Sequence, residues 1–155
     1  MRGFRIASRV GAAPDEVWRG VTTLAGVNTE LSPWLRMTGP PDEPLREGAL
    51  GRSWVLLAGL VPVDYDDLNI VEVMPGRGFR ERSTLASAKR WHHDRSIEPL
   101  PGGGCRVVDE VSWEPRVLGT GGLQELVFAA LFRWRHRRLR KRFSAGLSSH
   151  AWSER

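Results

Sequence analysis

The region between residues 50 and 115 constrains the fold most, because five segments rich in β-branched and aromatic residues follow one another there. Two turn signals lie between such segments, PGRG at residues 75–78 and PGGG at residues 101–104. Their glycines suit turns that need a positive φ, and such turns join antiparallel strands. The sequence therefore predicts five consecutive, mainly antiparallel strands.

One strand and two short helices are predicted before this region. Residues 3–10 resemble a strand, and a helix follows in which Pro14 suits the first turn. We expect that helix to end at Gly26 and a second, short helix to begin at Asn28 or Thr29. The second helix would carry three large apolar side chains, those of Leu31, Trp34 and Leu35.

The longest predicted helix covers residues 122–143. Its first half is apolar nearly all round, so we expect it to be packed on two sides. Its second half contains the basic run RWRHRRLRKR at residues 133–142, where most arginines would be available to solvent or to acidic residues elsewhere. The order of elements predicts one α+β domain over residues 3–146, and residues 147–155, which include Trp152, are expected to form a mobile tail.

Three segments carry a resemblance to a known superfamily: W-x-H-x-R-x-I at residues 91–97, D-x-V-x-W at 109–113 and F-R-W-R-H-R-R-L at 132–139. Together with the element order, they resemble the START/Bet v 1-like (SRPBCC, helix-grip) superfamily, and within it bacterial polyketide cyclase/dehydrase and lipid-transport-like members. The resemblance implies a curved antiparallel sheet of about six strands wrapped around the C-terminal helix. It also implies an apolar cavity between sheet and helix that takes lipids, polyketides or other small hydrophobic molecules.

Composition limits the possible partners and compartments. The 155 residues carry a net charge of +5, but 21 arginines against two lysines are spread along the chain, a bias more typical of coding preference than of a nucleic-acid patch. No nucleic-acid partner is therefore expected. The single cysteine, Cys105, and the absence of a signal-peptide pattern favour a cytoplasmic protein. The sequence makes no prediction of the oligomeric state.

Asp109 is the most unusual residue of the last predicted strand. Alternation places it on the same face as Val107, Val111 and Trp113, where an ionised carboxylate is costly unless it is paired. In the preceding strand Trp91, His93, Arg95 and Ile97 share the inner face. We therefore expect His93 or Arg95 to pair with Asp109 and to form a polar cluster at the cavity. One alternative is a buried pair that fixes the strand register and contacts no ligand. A second is a β-bulge that shifts the register and turns Asp109 to solvent, which would expose Val107, Val111 and Trp113.

The candidate ligand-binding side chains combine this cluster with aromatic and apolar residues suited to a cavity wall. They are Trp34, Trp54, Tyr65, Trp91, His93, Asp109, Trp113, Val127 and Leu131. No metal and no cofactor are expected, because the neighbouring His92, His93 and Asp94 would alternate between faces and the glycine-rich GTGGLQE lacks a nucleotide-binding fingerprint.

Three functional hypotheses follow. The first is a non-catalytic protein that binds a small hydrophobic molecule in the cavity. The second is an aromatase/cyclase-type dehydratase, whose acid–base residues would be His93, Asp109, Arg95 and Tyr65. The third is transient contact with an anionic membrane surface, or with a protein, through the basic helix, in which Arg135 and His136 could instead be structural anchors.

Overall fold

Seven strands are present in the computed structural model, which describes residues 1–39 and 43–144. They are β1 (Arg2–Val10), β2 (Leu35–Met37), β3 (Gly48–Leu57), β4 (Val61–Met74), β5 (Gly78–Leu85), β6 (Ala88–Pro99) and β7 (Cys105–Pro115). The same residues form three helices, α1 (Pro14–Val21), α2 (Leu24–Leu31) and α3 (Gly121–Arg142). The strands make one antiparallel sheet in the order β1-β7-β6-β5-β4-β3-β2, which curls around α3.

The predicted α+β class and the five strands of the central region are confirmed, but the sheet has seven strands instead of about six. The extra strand is β2, three residues that pair with the end of β3. The predicted placement of Trp34 and Leu35 in a helix is wrong. Pro33 explains the difference, because a proline disfavours helical backbone at the residue before it and α2 ends at Leu31.

The boundary between the first two helices also differs from the prediction. The first helix ends at Val21, and the second begins at Leu24 instead of at Asn28 or Thr29. Gly26 does not end a helix but lies inside α2, where a β-carbon would collide with the carbonyl oxygen of Gly20. Glycine is therefore required at this position because two helices approach closely, and not because the chain turns.

Two apolar clusters form the core on the concave side of the sheet. One joins α1 to the C-terminal end of α3 and contains Val17, Val107 and Leu139. The other contains Trp113 and Phe132. Asp109 lies on β7 between the apolar positions that belong to the two clusters, and the β6–β7 pairing is continuous there, with its irregularity at the far end of β6.

The first half of α3 is not packed on two sides, contrary to the prediction. Leu123 and Leu126 are exposed, whereas Phe132 belongs to the second apolar cluster and Phe128 packs against it. The predicted tail at residues 147–155 lies outside the described residues, as do the last two positions of the predicted domain.

Replacing Thr23 by Ala should lower the free energy of unfolding by about 1 kcal/mol, because the Thr23 hydroxyl accepts a hydrogen bond from the Gly26 N–H at the start of α2. Urea unfolding followed by circular dichroism measures the change. Thr29→Ala, on the exposed side of the same helix, is the matched control and should change stability by less than about 0.5 kcal/mol. Equal losses in the two variants would contradict a helix that begins after Thr23.

Candidate ligand-binding site

A cavity of about 590 Å³ lies between the sheet and α3. Most of its wall is apolar, and its lining includes Leu31, Ile70, Leu85, Trp91, Phe128 and Phe132. Four further lining residues are half-exposed or exposed, Leu57 and Val63 on the β3–β4 hairpin and Leu123 and Val127 on α3. The cavity therefore opens to solvent between this hairpin and the N-terminal half of α3.

Four of the nine side chains predicted to bind ligand line this cavity, those of Trp91, His93, Val127 and Leu131. Trp34 is exposed and packs against Trp134, with 6.1 Å between the ring centroids. The role of the four lining residues in binding stays a prediction, but the structure brings them to one place.

Trp54 and Tyr65 lie on the outer face of the sheet. They face each other across β3 and β4 with their ring centroids 5.7 Å apart, and the guanidinium of Arg52 lies 3.7 Å from the Tyr65 ring. Their neighbours Ser53 and Asp66 line the cavity, so strand alternation turns the two aromatic rings away from it. Both residues were candidates because they are aromatic. Their residue type does not indicate which face of the sheet they occupy.

Asp109 and Trp113 lie in the core behind the cavity wall, and both are completely buried. The Asp109 carboxylate binds both predicted partners. Arg95 donates from Nε and Nη2 at 2.8 and 2.7 Å, and His93 Nε2 lies 2.8 Å from Oδ1. A third partner is His136 of α3, whose Nε2 lies 2.8 Å from Oδ2.

The same network continues to the helices through Glu30. Arg95 Nη1 donates to Glu30 Oε1 at 2.7 Å, and Arg135 Nε donates to Glu30 Oε2 at 2.9 Å. Glu30 belongs to α2 and Arg135 to α3, so the network joins both helices to the sheet. Glu30 was not among the predicted site residues, because the start of α2 was predicted at Asn28 or Thr29. The sequence did not decide the position of His136.

Electrostatics keep this network charged. Burial by itself would raise the pKa of Asp109, but the Arg95 guanidinium and the two histidines hold that pKa well below its usual value. Burial likewise opposes ionisation of Glu30, whose pKa is nevertheless lowered by Arg95 and Arg135. Fully paired buried charges of this kind fix geometry, which supports the structural alternative for Asp109 and Arg95.

His93 is the one member of the Asp109–Arg95–His93 cluster that lines the cavity. Its Nδ1 lies 3.3 Å from Glu81 Oε2, while its Nε2 faces Asp109. Burial lowers the pKa of His93, but the two carboxylates outweigh it and raise the pKa above the usual value. A protonated ring donates to both carboxylates at once.

A pair of carboxyl groups, Asp66 on β4 and Glu81 on β5, also lines the cavity. Their exposed fractions are 7% and 5%, and Asp66 Oδ1 and Glu81 Oε1 have no hydrogen-bond donor among the described residues. Burial and the neighbouring Glu81 raise the pKa of Asp66 to about 9. The alternation that identified Asp109 applies here too, since Asp66 shares a face with Leu68 and Ile70, but the pair was not predicted.

The basic end of α3 contributes to holding the fold together. Arg138 donates to the Thr29 carbonyl at 3.1 Å, Arg142 donates to the Gly20 carbonyl at 2.9 Å, and Arg140 donates to the Ser8 hydroxyl at 2.8 Å. These contacts tie the helix to α2, α1 and β1, although the arginines were expected to be available to solvent or to acidic residues. Arg135 and His136 are buried, as structural anchors would be.

Two further observations concern residues 1–39 and 43–144. They contain no group of three or more His, Cys, Asp or Glu side chains that could hold a metal ion. None of their helices is both long and apolar enough to cross a membrane.

Comparison with known sequences gives one family. The family model described as "Domain of unknown function (DUF8410)" matches residues 8–143. No curated protein matches the chain.

Solved structures with a similar fold cover most of the chain. Protein CV1439 from Chromobacterium violaceum is 14% identical with a TM-score of 0.71, over 92% of this chain and 98% of that one. A START superfamily protein from Mycobacterium smegmatis is 10% identical with a TM-score of 0.68, over 91% of this chain and 96% of the other. DynU16, a protein of the dynemicin biosynthetic locus, is 16% identical with a TM-score of 0.60, over 88% of this chain and 46% of its own. At these identities the similarity shows a shared fold.

Asp109→Asn should lower the free energy of unfolding by about 3–5 kcal/mol, because it leaves buried cationic groups without their carboxylate. Glu110→Gln is the matched control, since Glu110 is the next residue of β7, faces outward and forms an exposed pair with Arg5. It should change stability by less than about 1 kcal/mol. Urea unfolding at pH 7 compares the two, and a loss below 1 kcal/mol in Asp109→Asn would contradict the network's structural role.

Asp66→Asn should stabilise the protein at pH 8 by several kcal/mol, on the order of 5, and should have little effect near pH 4. The pKa of Asp66 is raised in the folded state, so the folded protein holds a proton that the unfolded chain releases, and stability falls as the pH rises towards about 9. Asparagine cannot ionise, so the Asp66→Asn variant does not lose this stability as the pH rises. The free energy of unfolding measured against pH tests it.

Asp67→Asn is the control for that experiment, because Asp67 faces outward and its pKa is lowered by a hydrogen bond from Arg52. It should not stabilise the protein at any pH. If Asp66→Asn is less stable than the wild type at pH 8, the claim that ionisation of Asp66 is costly in the folded protein is wrong.

Proposed function

Because the chain belongs to the DUF8410 family and has the START/Bet v 1-like helix-grip fold, we propose that it binds a small hydrophobic molecule, lipid-like or polyketide-like, in the cavity between the sheet and α3. The observation that carries the proposal is the cavity itself. Its volume of about 590 Å³ and its mainly apolar wall are typical of sites for small molecules.

Exposed apolar side chains at the cavity opening support the proposal energetically. Leu57, Val63, Leu123 and Val127 contact water there. A ligand that covers such surface gains about 25 cal/mol for each Å² of apolar area removed from water. A hydrophobic ligand would therefore be stabilised both by the closed part of the cavity and by its rim.

The positions of the acid–base candidates favour binding over turnover. The carboxylate of Asp109 and the guanidinium of Arg95 are saturated by protein partners behind the wall, and Tyr65 is on the outer face. A group must reach the reacting atoms to transfer a proton to them. Of these four candidates, His93 alone lines the cavity, and both of its ring nitrogens contact carboxylates of the protein.

Acid–base turnover of a polyketide-like carbonyl compound is the second candidate function, and the position of His93 is the observation that favours it. Its ring nitrogens contact Glu81 and Asp109, so proton transfer to a ligand would require one of these two contacts to open. The similar fold of DynU16, from a biosynthetic locus, supports testing polyketide-like compounds. Under this candidate, incubation would consume the compound and His93→Ala would stop the consumption. Recovery of unchanged compound from the wild-type protein would exclude turnover of that compound.

Val127→Glu should weaken the binding of a neutral apolar probe such as N-phenyl-1-naphthylamine by at least about tenfold, because a carboxylate in the wall must be desolvated when the probe binds. Fluorescence titration measures the affinity. Both Val127 and Leu126 are exposed, at 55% and 68%, so neither substitution should unfold the helix.

Leu126→Glu is the control, because Leu126 neighbours Val127 on α3 but does not line the cavity. Its affinity should remain within about twofold of the wild type. Equal weakening in both variants, or none in either, would contradict binding in this cavity.

A further inference from the structure

We propose that the ligand carries a protonated amine on an otherwise apolar body, and that Asp66 and Glu81 bind this amine. The inference rests on the proposed function and adds the chemical class of the ligand's polar group. Nothing in the sequence analysis assigned a role to either carboxyl group.

The pair holds one proton of its own, on Asp66 and hydrogen-bonded to Glu81, and two of its oxygens receive no hydrogen bond from any other described group. Asp66 Oδ1 and Glu81 Oε1 are buried at the cavity wall and have no hydrogen-bond donor among the described residues. Buried polar atoms are nearly always hydrogen-bonded, so an unsatisfied pair inside a ligand-sized cavity marks the place where a ligand's donor belongs.

The charges around the pair are mainly negative. Asp66 interacts with the carboxyl groups of Glu81 and Asp64 and with the Ser83 hydroxyl, and Ser53 of β3 faces it across the strand pair. On β6, His93 lies beside Glu81 through its Nδ1. Asp66 has no comparable contact with a cation in the described residues.

The nearby arginines do not neutralise the acidic groups around Asp66. Arg135 of α3 is bound to Glu30, whereas the guanidinium of Arg52 lies on the outer face of the sheet, where it is bound to Asp67. Glu43 and Arg46, one of each charge, line the cavity from the segment before β3. The carboxyl pair and the neighbouring Asp64 are therefore the most acidic part of the wall, although His93 offsets part of the charge of Glu81.

Among simple polar groups, an ammonium matches this environment best. It supplies up to three N–H donors and a positive charge, so it can bind both free oxygens and allow Asp66 to ionise. A hydroxyl supplies one donor and no charge, and a carboxylate would add a third negative group. Burial and Glu81 hold a proton on Asp66 at neutral pH, since its pKa is raised to about 9. Binding of an ammonium should therefore release that proton to solvent.

Isothermal titration calorimetry with three ligands of equal chain length tests the inference: decylamine, decanol and decanoate, at pH 7 in two buffers that differ in ionisation enthalpy. Decylamine should bind at least about tenfold more tightly than decanol, and decanoate most weakly. The difference between the buffers should report the release of about one proton for each bound amine, and none for decanol.

Asp66→Asn is the informative variant. It should lower the affinity for decylamine at least about tenfold and abolish proton release, while the affinity for decanol changes by less than about twofold. Asp67→Asn, one residue along the same strand and outward-facing, should leave all three affinities unchanged.

The outcomes separate this inference from the proposed function. If decanol or decanoate binds as tightly as decylamine, or if Asp66→Asn retains full affinity for the amine, the amine site is wrong and the hydrophobic site stands. If none of the three ligands and no neutral apolar probe binds, the proposed function itself fails, and the inference fails with it.

Discussion

The Asp109 carboxylate is the interaction on which the other elements depend. It is completely buried on β7, so its ionised form is tolerable only while Arg95, His93 and His136 all contact it. These partners belong to β6 and α3, and Arg95 also binds Glu30 of α2. One buried charge thereby fixes a strand pair and two helices relative to one another.

The same network determines where the cavity can form. It lies between two apolar clusters and holds the middle and C-terminal part of α3 against the sheet. The N-terminal half of α3 lacks buried ion pairs of this kind, and Leu123 and Val127 there are exposed at the cavity opening. A strictly paired network in one half of the domain therefore coexists with unfilled apolar space in the other half. His93 links the two, since it contacts Asp109 on one side and the cavity on the other.

Strand alternation was the most reliable guide from the sequence to the site. It placed His93, Arg95 and Asp109 on one face, and the observed register pairs Arg95 directly with Asp109. The prediction for Trp54 and Tyr65 had no such support, and both lie on the outer face. The strand pattern also contained Asp66, but its significance depends on Glu81 of the next strand and on the cavity between them.

Contacts between helices and sheet were not accessible from the pattern alone. Glu30 is distant in sequence from Arg95 and Arg135, and its position depends on where α2 begins. The three-residue strand β2 is too short to give an alternating pattern. Periodicity identifies the face of an element, whereas the packing of one element on another decides which faces meet.

Native mass spectrometry of the protein purified without added ligand, followed by denaturing extraction, tests the central claim most directly. The account predicts a bound small hydrophobic molecule, or, if the protein is purified empty, a rise in its thermal stability with members of a panel of lipids and polyketide-like compounds. An empty protein that no member of the panel stabilises would contradict a ligand-binding role for the cavity.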